Sequence, residues 1–428
     1  MIPTDSHENH KDPGGHRLRL LAGGHDLFPA MIVAINAAHI SVRLETYIFD
    51  FEGAALEVAH ALEDAALRGL QVCVVLDGVG TPHVPAWWQQ RWQQAGVQWQ
   101  HHVPLGRWGL LVPSRWRRLH RKLCVVDERI AFCGGINVMD DYLDVTLGPL
   151  LQARLDFAVQ VQGPLVSHIL SVMQVEWRRL PVQGLWHGPP MKAALAVQAR
   201  VGVAVRGAAQ FIKQAGKRKP TDKPYAFEAG TAEVRVAQAR LVLRDNIRHR
   251  ADIEWAYIDA MTCANSSVLI AMAYFLPGAR LRRVMRAAVA RGVSVTVIVQ
   301  GRYENFMQFR AARPIYRRLI AAGVHVAHYG PSALHAKVAV VDGQWATVGS
   351  SNLDPLSLLL AKEANIVIND AVFAGDLQQR LSAIVAHTMP VDLSMNAVTG
   401  WPRLWERLLD NFAFALMRAA LWLTGHTY

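Results

Sequence analysis

Two stretches of the chain carry the same five residues at the same spacing. His120, Lys122, Asp127, Gly134 and Asn137 stand in one, and His335, Lys337, Asp342, Gly349 and Asn352 in the other. From each histidine, lysine follows at two positions, aspartate at seven, glycine at fourteen and asparagine at seventeen. One His-x-Lys carries no information. Five matched positions in two copies require a fold that holds two copies of one unit.

The surrounding pattern repeats as well. In the first half, apolar alternation marks strands over 39–49 and 71–76 and a short one over 97–101, with helical spacing over 54–68 and 87–95. In the second half the same rhythm gives strands over 267–275, 293–300 and 324–328 and helices over 279–291 and 313–322. Arg68-Gly69 is matched by Arg291-Gly292, and Ala95-Gly96-Val97 by Ala322-Gly323-Val324. Strand and helix alternation implies an α/β fold with a parallel or mixed sheet flanked by helices in each half. The expected organisation is a polar tail over 1–16, a first domain over 17–190 and a basic linker over 191–235. A second domain over 236–395 and a C-terminal helix over 396–428 follow.

Each motif opens an apolar run, Leu123–Val126 or Val338–Val341, and is expected on a strand. Residues at i and i+2 then share a face, so histidine and lysine point together. Displacement at a phosphodiester needs a nucleophile, a proton for the leaving alkoxide and positive charge around the phosphoryl oxygens. One histidine can attack phosphorus and the other can act as acid and then base. Lys122, Lys337, Asn137 and Asn352 can hold the phosphate oxygens without a metal or other cofactor. Asp127 and Asp342 fall on the opposite face of a regular strand and are expected to anchor the motif. A histidine in such a role needs a carboxylate to orient it. Asp156 and Glu363 lie in equivalent places after His120 and His335, either in that role or as strand-end carboxylates facing water.

Lys plus Arg exceed Asp plus Glu by 45 to 34, a net charge of +11 that suits an anionic partner without choosing one. The 13 tryptophans weight that partner toward a lipid interface, although Trp also fills cores. No run of basic and aromatic residues tracks a nucleic-acid strand, which disfavours that partner. Cys73, Cys124, Cys133 and Cys263 lack paired spacing and are expected as reduced, buried thiols. The His-rich start, including His16, reads as a solvated tail with no apolar signal region. Gly96 lies 24 positions before His120, but Gly323 only 12 before His335. The surplus holds Arg107, Trp108, Leu110, Leu111, Arg115, Trp116, Arg117 and Arg118, which fit an anionic membrane surface or an ordinary packed loop. After Pro402, basic residues recur on one helical face and Leu404, Leu408, Phe412 and Leu416 on another. That amphipathic pattern suits a helix lying on a membrane, or one packed on the second domain.

As HRKLCVVD…GGIN and HAKVAVVD…GSSN, the two motifs resemble the signature of the phospholipase D superfamily. Within it the chain is similar to the shorter bacterial cardiolipin synthases, through ETYIF from Glu45, VLRDN from Val242, AMAYF from Ala271 and VGSSNLDPLSL from Val348. The likeness runs over about residues 17–390. It implies two homologous α/β/α domains in pseudo-twofold arrangement with one active site between them. It implies transfer of a phosphatidyl group from phosphatidylglycerol to a second phospholipid headgroup through a phosphohistidine, with His120 as nucleophile and His335 as acid. A hydrolase or nuclease of the same superfamily is the alternative. The paired N-terminal membrane helices of the commoner members have no counterpart here. The expectation is therefore peripheral attachment to anionic phospholipid at the cytoplasmic face of a bacterial membrane, with no obligate protein partner.

Overall fold

The computed structural model describes residues 15–104, 113–144, 148–180, 234–236, 238–245, 248–301, 306–354 and 361–391. The C-terminal helix expected over 396–428, nearly all of the linker and tail, and Arg107 to Leu111 of the surplus loop lie outside them.

The first half builds a mixed sheet from β1 (His16–Ala22), β2 (Ser41–Thr46), β3 (Gln71–Asp77), β4 (Gln98–His102), β6 (Lys122–Val126), β7 (Ile130–Gly134) and β10 (Phe157–Gln162). Two-residue β5 (Arg118–Leu119), β8 (Leu143–Asp144) and β9 (Gly148–Pro149) lie outside it, and β11 (Val234–Val236) joins its edge. Its order is β11-β1-β10-β7-β6-β2-β3-β4. The second half supplies β12 (Ala239–Arg244), β13 (Ser267–Met272), β14 (Ser294–Gln300), β15 (His325–Tyr329), β16 (Lys337–Val341), β17 (Trp345–Gly349), β18 (Ala361–Asn369) and β19 (Thr388–Pro390). Their order, β12-β18-β17-β16-β13-β14-β15-β19, repeats seven strands of the first sheet one for one. In each half the three strands at one side run parallel and the motif strand is antiparallel to its neighbours.

Two expected boundaries move. His16 is the first residue of β1 and fully buried, its Nδ1 accepting the Leu165 N–H at 3.4 Å. Val234 and Arg235, assigned to the linker, pair with Leu18 and Arg17. Both segments are polar or short, so only their partners in the sheet give them structure. Of the four thiols expected to be buried, Cys73, Cys124 and Cys133 are, whereas Cys263 is exposed.

The helices are α1 (Gly23–Asn36), α2 (Ala54–Leu67), α3 (Ala86–Ala95), α4 (Leu165–Arg179), α5 (Asp252–Thr262), α6 (Ala279–Ala290), α7 (Phe306–Ala321) and α8 (Ala371–Val385). The repeated Arg-Gly pair stops α2 and α6, because Gly69 and Gly292 take φ of 88° and 91° just past the last turn. β3 is buried at every residue but Gln71, as parallel strands covered on both faces must be. α1 to α3 cover the outer face of the first sheet and α5 to α7 that of the second, each over its own core cluster. A third cluster joins α4 and α8 to β1, β6, β7, β10, β16, β17 and β18, so the halves share one apolar core. The two sheets face each other across it, which places the motif strands of both copies at one seam.

Candidate active site

Strands β6 and β16 begin at the lysines, not at the histidines. His120 and His335 occupy the step just before, where the chain leaves its own sheet and pairs with the other half. Arg118 and Leu119 lie beside Ala361 and Lys362 in parallel, and the His120 N–H donates to the Lys362 carbonyl at 3.0 Å. Leu334 bridges to Leu155, and the His335 N–H donates to the Leu155 carbonyl at 2.9 Å. The expected strand placement is therefore displaced by two residues. The reason is that the partner strand at this point belongs to the opposite half.

The same crossing exchanges the carboxylates. Register aligns Asp156 with Glu363, since Ala158 opposes Gly134 as Asn365 opposes Gly349. His120 Nδ1 lies 3.1 Å from both Glu363 oxygens, and His335 Nδ1 lies 2.6 Å from Asp156 Oδ2. Each carboxylate thus holds the histidine of the other half. Both are buried, at 0% and 2% side-chain exposure, whereas the histidine side chains keep 18% and 25%. A ring whose Nδ1–H is held by a carboxylate turns its Nε2 lone pair outward, which is the arrangement a nucleophile or general base requires.

Lys122 Nζ donates to the His120 carbonyl at 2.8 Å; Lys337 Nζ donates to the His335 carbonyl and stands 2.9 Å from its Nδ1. Both lysines are buried. Burial brings Lys122 down to about 7, with Glu363 opposing and Lys337 adding to the shift. Burial also lowers His120 against the pull of Glu363, and lowers His335 well below its usual value with Lys337 and Lys122 adding to it. Asp156 is pushed by burial up to about 7, against Lys337. Glu363 feels the same upward push, but His120, Lys122 and the Ser350 hydroxyl hold it below the usual carboxylate range. Burial thus disfavours the charged forms of Lys122, His120 and His335, and a phosphate bound beside them would favour those forms.

Asn137 and Asn352 stand in the loops after β7 and β17. The Asn137 Oδ1 accepts the Ile48 N–H at 3.2 Å and the Asn352 Oδ1 accepts the Tyr274 N–H at 3.4 Å. Each amide oxygen is thereby committed to the backbone, which leaves the NH2 as its donor. Asp127 and Asp342 sit at the far end of the five-residue motif strands, about 17 Å along at the usual rise. Asp127 accepts the N–H groups of His39, Ile40 and Ser41, and Asp342 those of Asn265, Ser266 and Ser267. They fasten the turn after the motif to the start of β2 or β13 and touch no reacting group.

Two neighbours lie outside the five matched positions. The Tyr47 ring centroid lies 4.9 Å from that of His120, and Lys122 Nζ stands 5.6 Å from the Tyr47 centroid. Burial pushes its hydroxyl up to about 12. The Ser350 hydroxyl donates to Glu363 at 2.5 Å. Tyr47 lies in a sequence segment that marks the resemblance but gives no hint of facing His120. Ser350 could have been found as the residue replacing Gly135 between the two copies.

Two matched α/β units that bring their histidines and lysines to one seam define a phosphodiester-transfer protein of the phospholipase D kind. The chain matches the family model described as "Cardiolipin synthase, PLD-like domain" over residues 31–148 and 257–385, and it belongs to that family. It is 38% identical to cardiolipin synthase B of Salmonella typhi over 418 residues, 96% of this chain and 91% of that one. It is 36% identical to cardiolipin synthase B of Escherichia coli K12 over the same shares. In fold it is similar to phosphatidylserine synthase of Haemophilus influenzae Rd KW20, with a TM-score of 0.64 and 14% identity over 95% of this chain and 96% of that one.

Proposed function

We propose that the protein is a cardiolipin synthase that joins two phosphatidylglycerol molecules and releases glycerol. The observation that carries the reading is the exchanged pair of carboxylate-held histidines, each flanked by a buried lysine. In the first step His120 Nε2 attacks the phosphorus of the donor, the bond from phosphorus to the headgroup glycerol breaks, and His335 gives that alkoxide its proton. In the second, His335 takes the proton from a headgroup hydroxyl of the acceptor. That oxygen attacks the phosphohistidine, and the N–P bond breaks. Lys122, Lys337 and the amides of Asn137 and Asn352 hold the phosphoryl oxygens as charge grows on them. Glu363 and Asp156 keep the two rings in the required tautomer.

Among the described residues no helix is long and apolar enough to cross a membrane. Attachment is assigned to anionic phospholipid at the cytoplasmic face, through the basic loop before His120 and the amphipathic segment over 401–428. Removing 401–428 is expected to shift the protein from the membrane pellet to the supernatant while activity on detergent-dispersed lipid persists. A truncated protein that still pellets would assign the anchor elsewhere.

The function is tested by incubation with phosphatidylglycerol liposomes and, separately, with DNA. Cardiolipin and glycerol in equal amounts, with an acid-labile phosphohistidine trapped at early times, are the expected products. Phosphatidic acid as the main product would make the protein a hydrolase, and nicked DNA would make it a nuclease.

A further inference from the structure

The two halves match at the site but not behind it. Beneath the His120 segment lies a cluster of charged side chains that the reaction above does not use. Arg121 Nη2 stands 3.0 Å from Glu45 Oε2 and 3.5 Å from Glu176 Oε2. Lys362 Nζ donates to the two Glu176 oxygens at 2.6 and 2.9 Å, and His102 Nδ1 lies 2.8 Å from Glu176 Oε1. Glu45, His102, Arg121 and Glu176 are buried.

Register and spacing identify the counterpart of each at the other histidine. Glu45 opposes Leu123 as Ala271 opposes Val338, and Asp77 opposes His102 as Gln300 opposes Tyr329. Arg121 and Ala336 are the middle residues of the two motifs, and Lys362 and Leu155 each precede an orienting carboxylate. Glu176 closes a buried helix face of Leu165, Val166, Ile169 and Met173, as Ile384 closes one of Phe373, Ala374, Leu377 and Leu381. All five counterparts, Ala271, Tyr329, Ala336, Leu155 and Ile384, lie in a single apolar cluster.

The junction behind His335 is therefore closed with an apolar filling. Such a filling serves stability as well as a buried ion cluster does, and often better, because the charges need not be stripped of water. Packing alone gives no reason for the charges. Their connections do. Arg121 stands between His120 and Lys122. Lys362 precedes Glu363, its carbonyl accepts the His120 N–H, and its ammonium crosses the seam to Glu176 on α4.

We propose that Arg121, Glu176 and Lys362 are positioning residues for His120: they tie α4 of the first half to β18 of the second and so hold Glu363 and His120 at hydrogen-bond distance. Among the described residues His335 has no such tie, and the two motif histidines are thereby made unequal. The inference rests on the reading of His120 as the residue that becomes phosphorylated.

The test replaces the cluster with uncharged side chains of similar size, Glu45→Gln, Arg121→Met, Glu176→Gln and Lys362→Met together, so that no buried charge is left unpaired. Turnover and the rate of phosphohistidine formation are expected to fall together by roughly 10- to 100-fold, as when a reacting group is misplaced by about an ångström, with KM little changed. The partly exposed Lys362 allows a gentler pair that does not depend on the folding of the fourfold variant. Lys362→Met should show the same fall in turnover, and Lys362→Arg, which keeps the cross-seam ion pair, should restore it. Phosphohistidine formation at the wild-type rate in the charge-free variant or in Lys362→Met overturns the inference. No phosphohistidine in the wild-type protein would overturn the proposed function instead, so the two failures are distinct.

Discussion

Around His120 the orienting carboxylate is a glutamate, supported by a serine hydroxyl and backed by an ion cluster. Around His335 it is an aspartate, with Gly135 where the first site has Ser350 and an apolar core behind it. The difference is one of reach. A Cβ on Gly135 would collide with the Asp156 carboxylate, so a serine fits only where the longer glutamate leaves room. The surroundings of the two histidines therefore differ: His120, Lys122 and the Ser350 hydroxyl hold Glu363 below the usual carboxylate range, while burial pushes Asp156 up to about 7. Unequal partners suit unequal tasks: a persistent nucleophile, and an acid that must give up and regain a proton.

The largest expected effect tests whether the tasks are unequal at all. His120→Ala should abolish both turnover and the covalent species. His335→Ala should also abolish turnover, by at least about 10²–10⁴ for the lost acid–base group, yet still allow the phosphoenzyme to form from a donor with an activated leaving group. The check is acid-labile phosphate on each variant. A phosphoenzyme in His120→Ala and none in His335→Ala would reverse the roles.

Next in size is the crossing of the carboxylates. Glu363→Gln should slow phosphoenzyme formation and Asp156→Asn the protonation of the leaving group, each by about 10²–10⁴, since each histidine loses the group that fixes its tautomer. An activated donor should rescue Asp156→Asn and leave Glu363→Gln slow. Rescue of the opposite variant would mean that each carboxylate serves its own half.

The third effect is a pH limb. Lys122 in the free protein is held near 7 by burial, so its charged fraction falls as pH rises through that value. The charged form is the one that holds phosphate, so kcat/KM should fall toward tenfold per pH unit above about 7 if that charge is essential. An arginine stays charged, so Lys122→Arg should flatten this limb even if its maximum is lower. An unchanged limb in that variant would place the titration on another group.

Much of this was legible because duplication turns weak signals into strong ones. Strand alternation alone puts Asp127 and Asp342 on the face away from the histidines, and equal places after the motifs single out Asp156 and Glu363. The exchange between halves was not readable, because His120 and Glu363 lie 243 positions apart and no spacing in one half reports what the other half places beside it. Helices α4 and α8 went unread for a related reason. Their buried faces pack into the core between the halves, and in α4 that face ends in Glu176, which breaks the apolar pattern a sequence scan relies on. Arg121 is the unmatched middle residue of its motif, and its partners Glu45 and Glu176 lie 76 and 55 positions away, out of reach of any local pattern.

The smallest expected effect lies farthest from the reaction, in the turns after the two motif strands. Asp127 and Asp342 take φ of 50° and 53°, a left-handed conformation that aspartate tolerates better than most residues. The next residue is also left-handed in both turns, Glu128 at 58° and Gly343 at 63°. The Arg129 N–H donates back to Val126 and the Gln344 N–H back to Val341, at 3.0 Å each. Two successive positive φ values across such a hydrogen bond make a type I′ hairpin turn, for which Asp-Gly is a favoured sequence. The second half has that sequence, while the first places a glutamate where its Cβ crowds the backbone. Glu128→Gly should therefore stabilise the protein by about 1 kcal/mol, less the extra freedom glycine gives the unfolded chain. Gly343→Ala should destabilise by a similar amount, with a small addition because its Cβ would come within 2.9 Å of Gln378 Oε1. Denaturant midpoints measure both, and turnover should change in neither. If Glu128→Gly proved destabilising, an interaction of the Glu128 side chain would have to outweigh the strain, and the two turns would differ for more than backbone reasons.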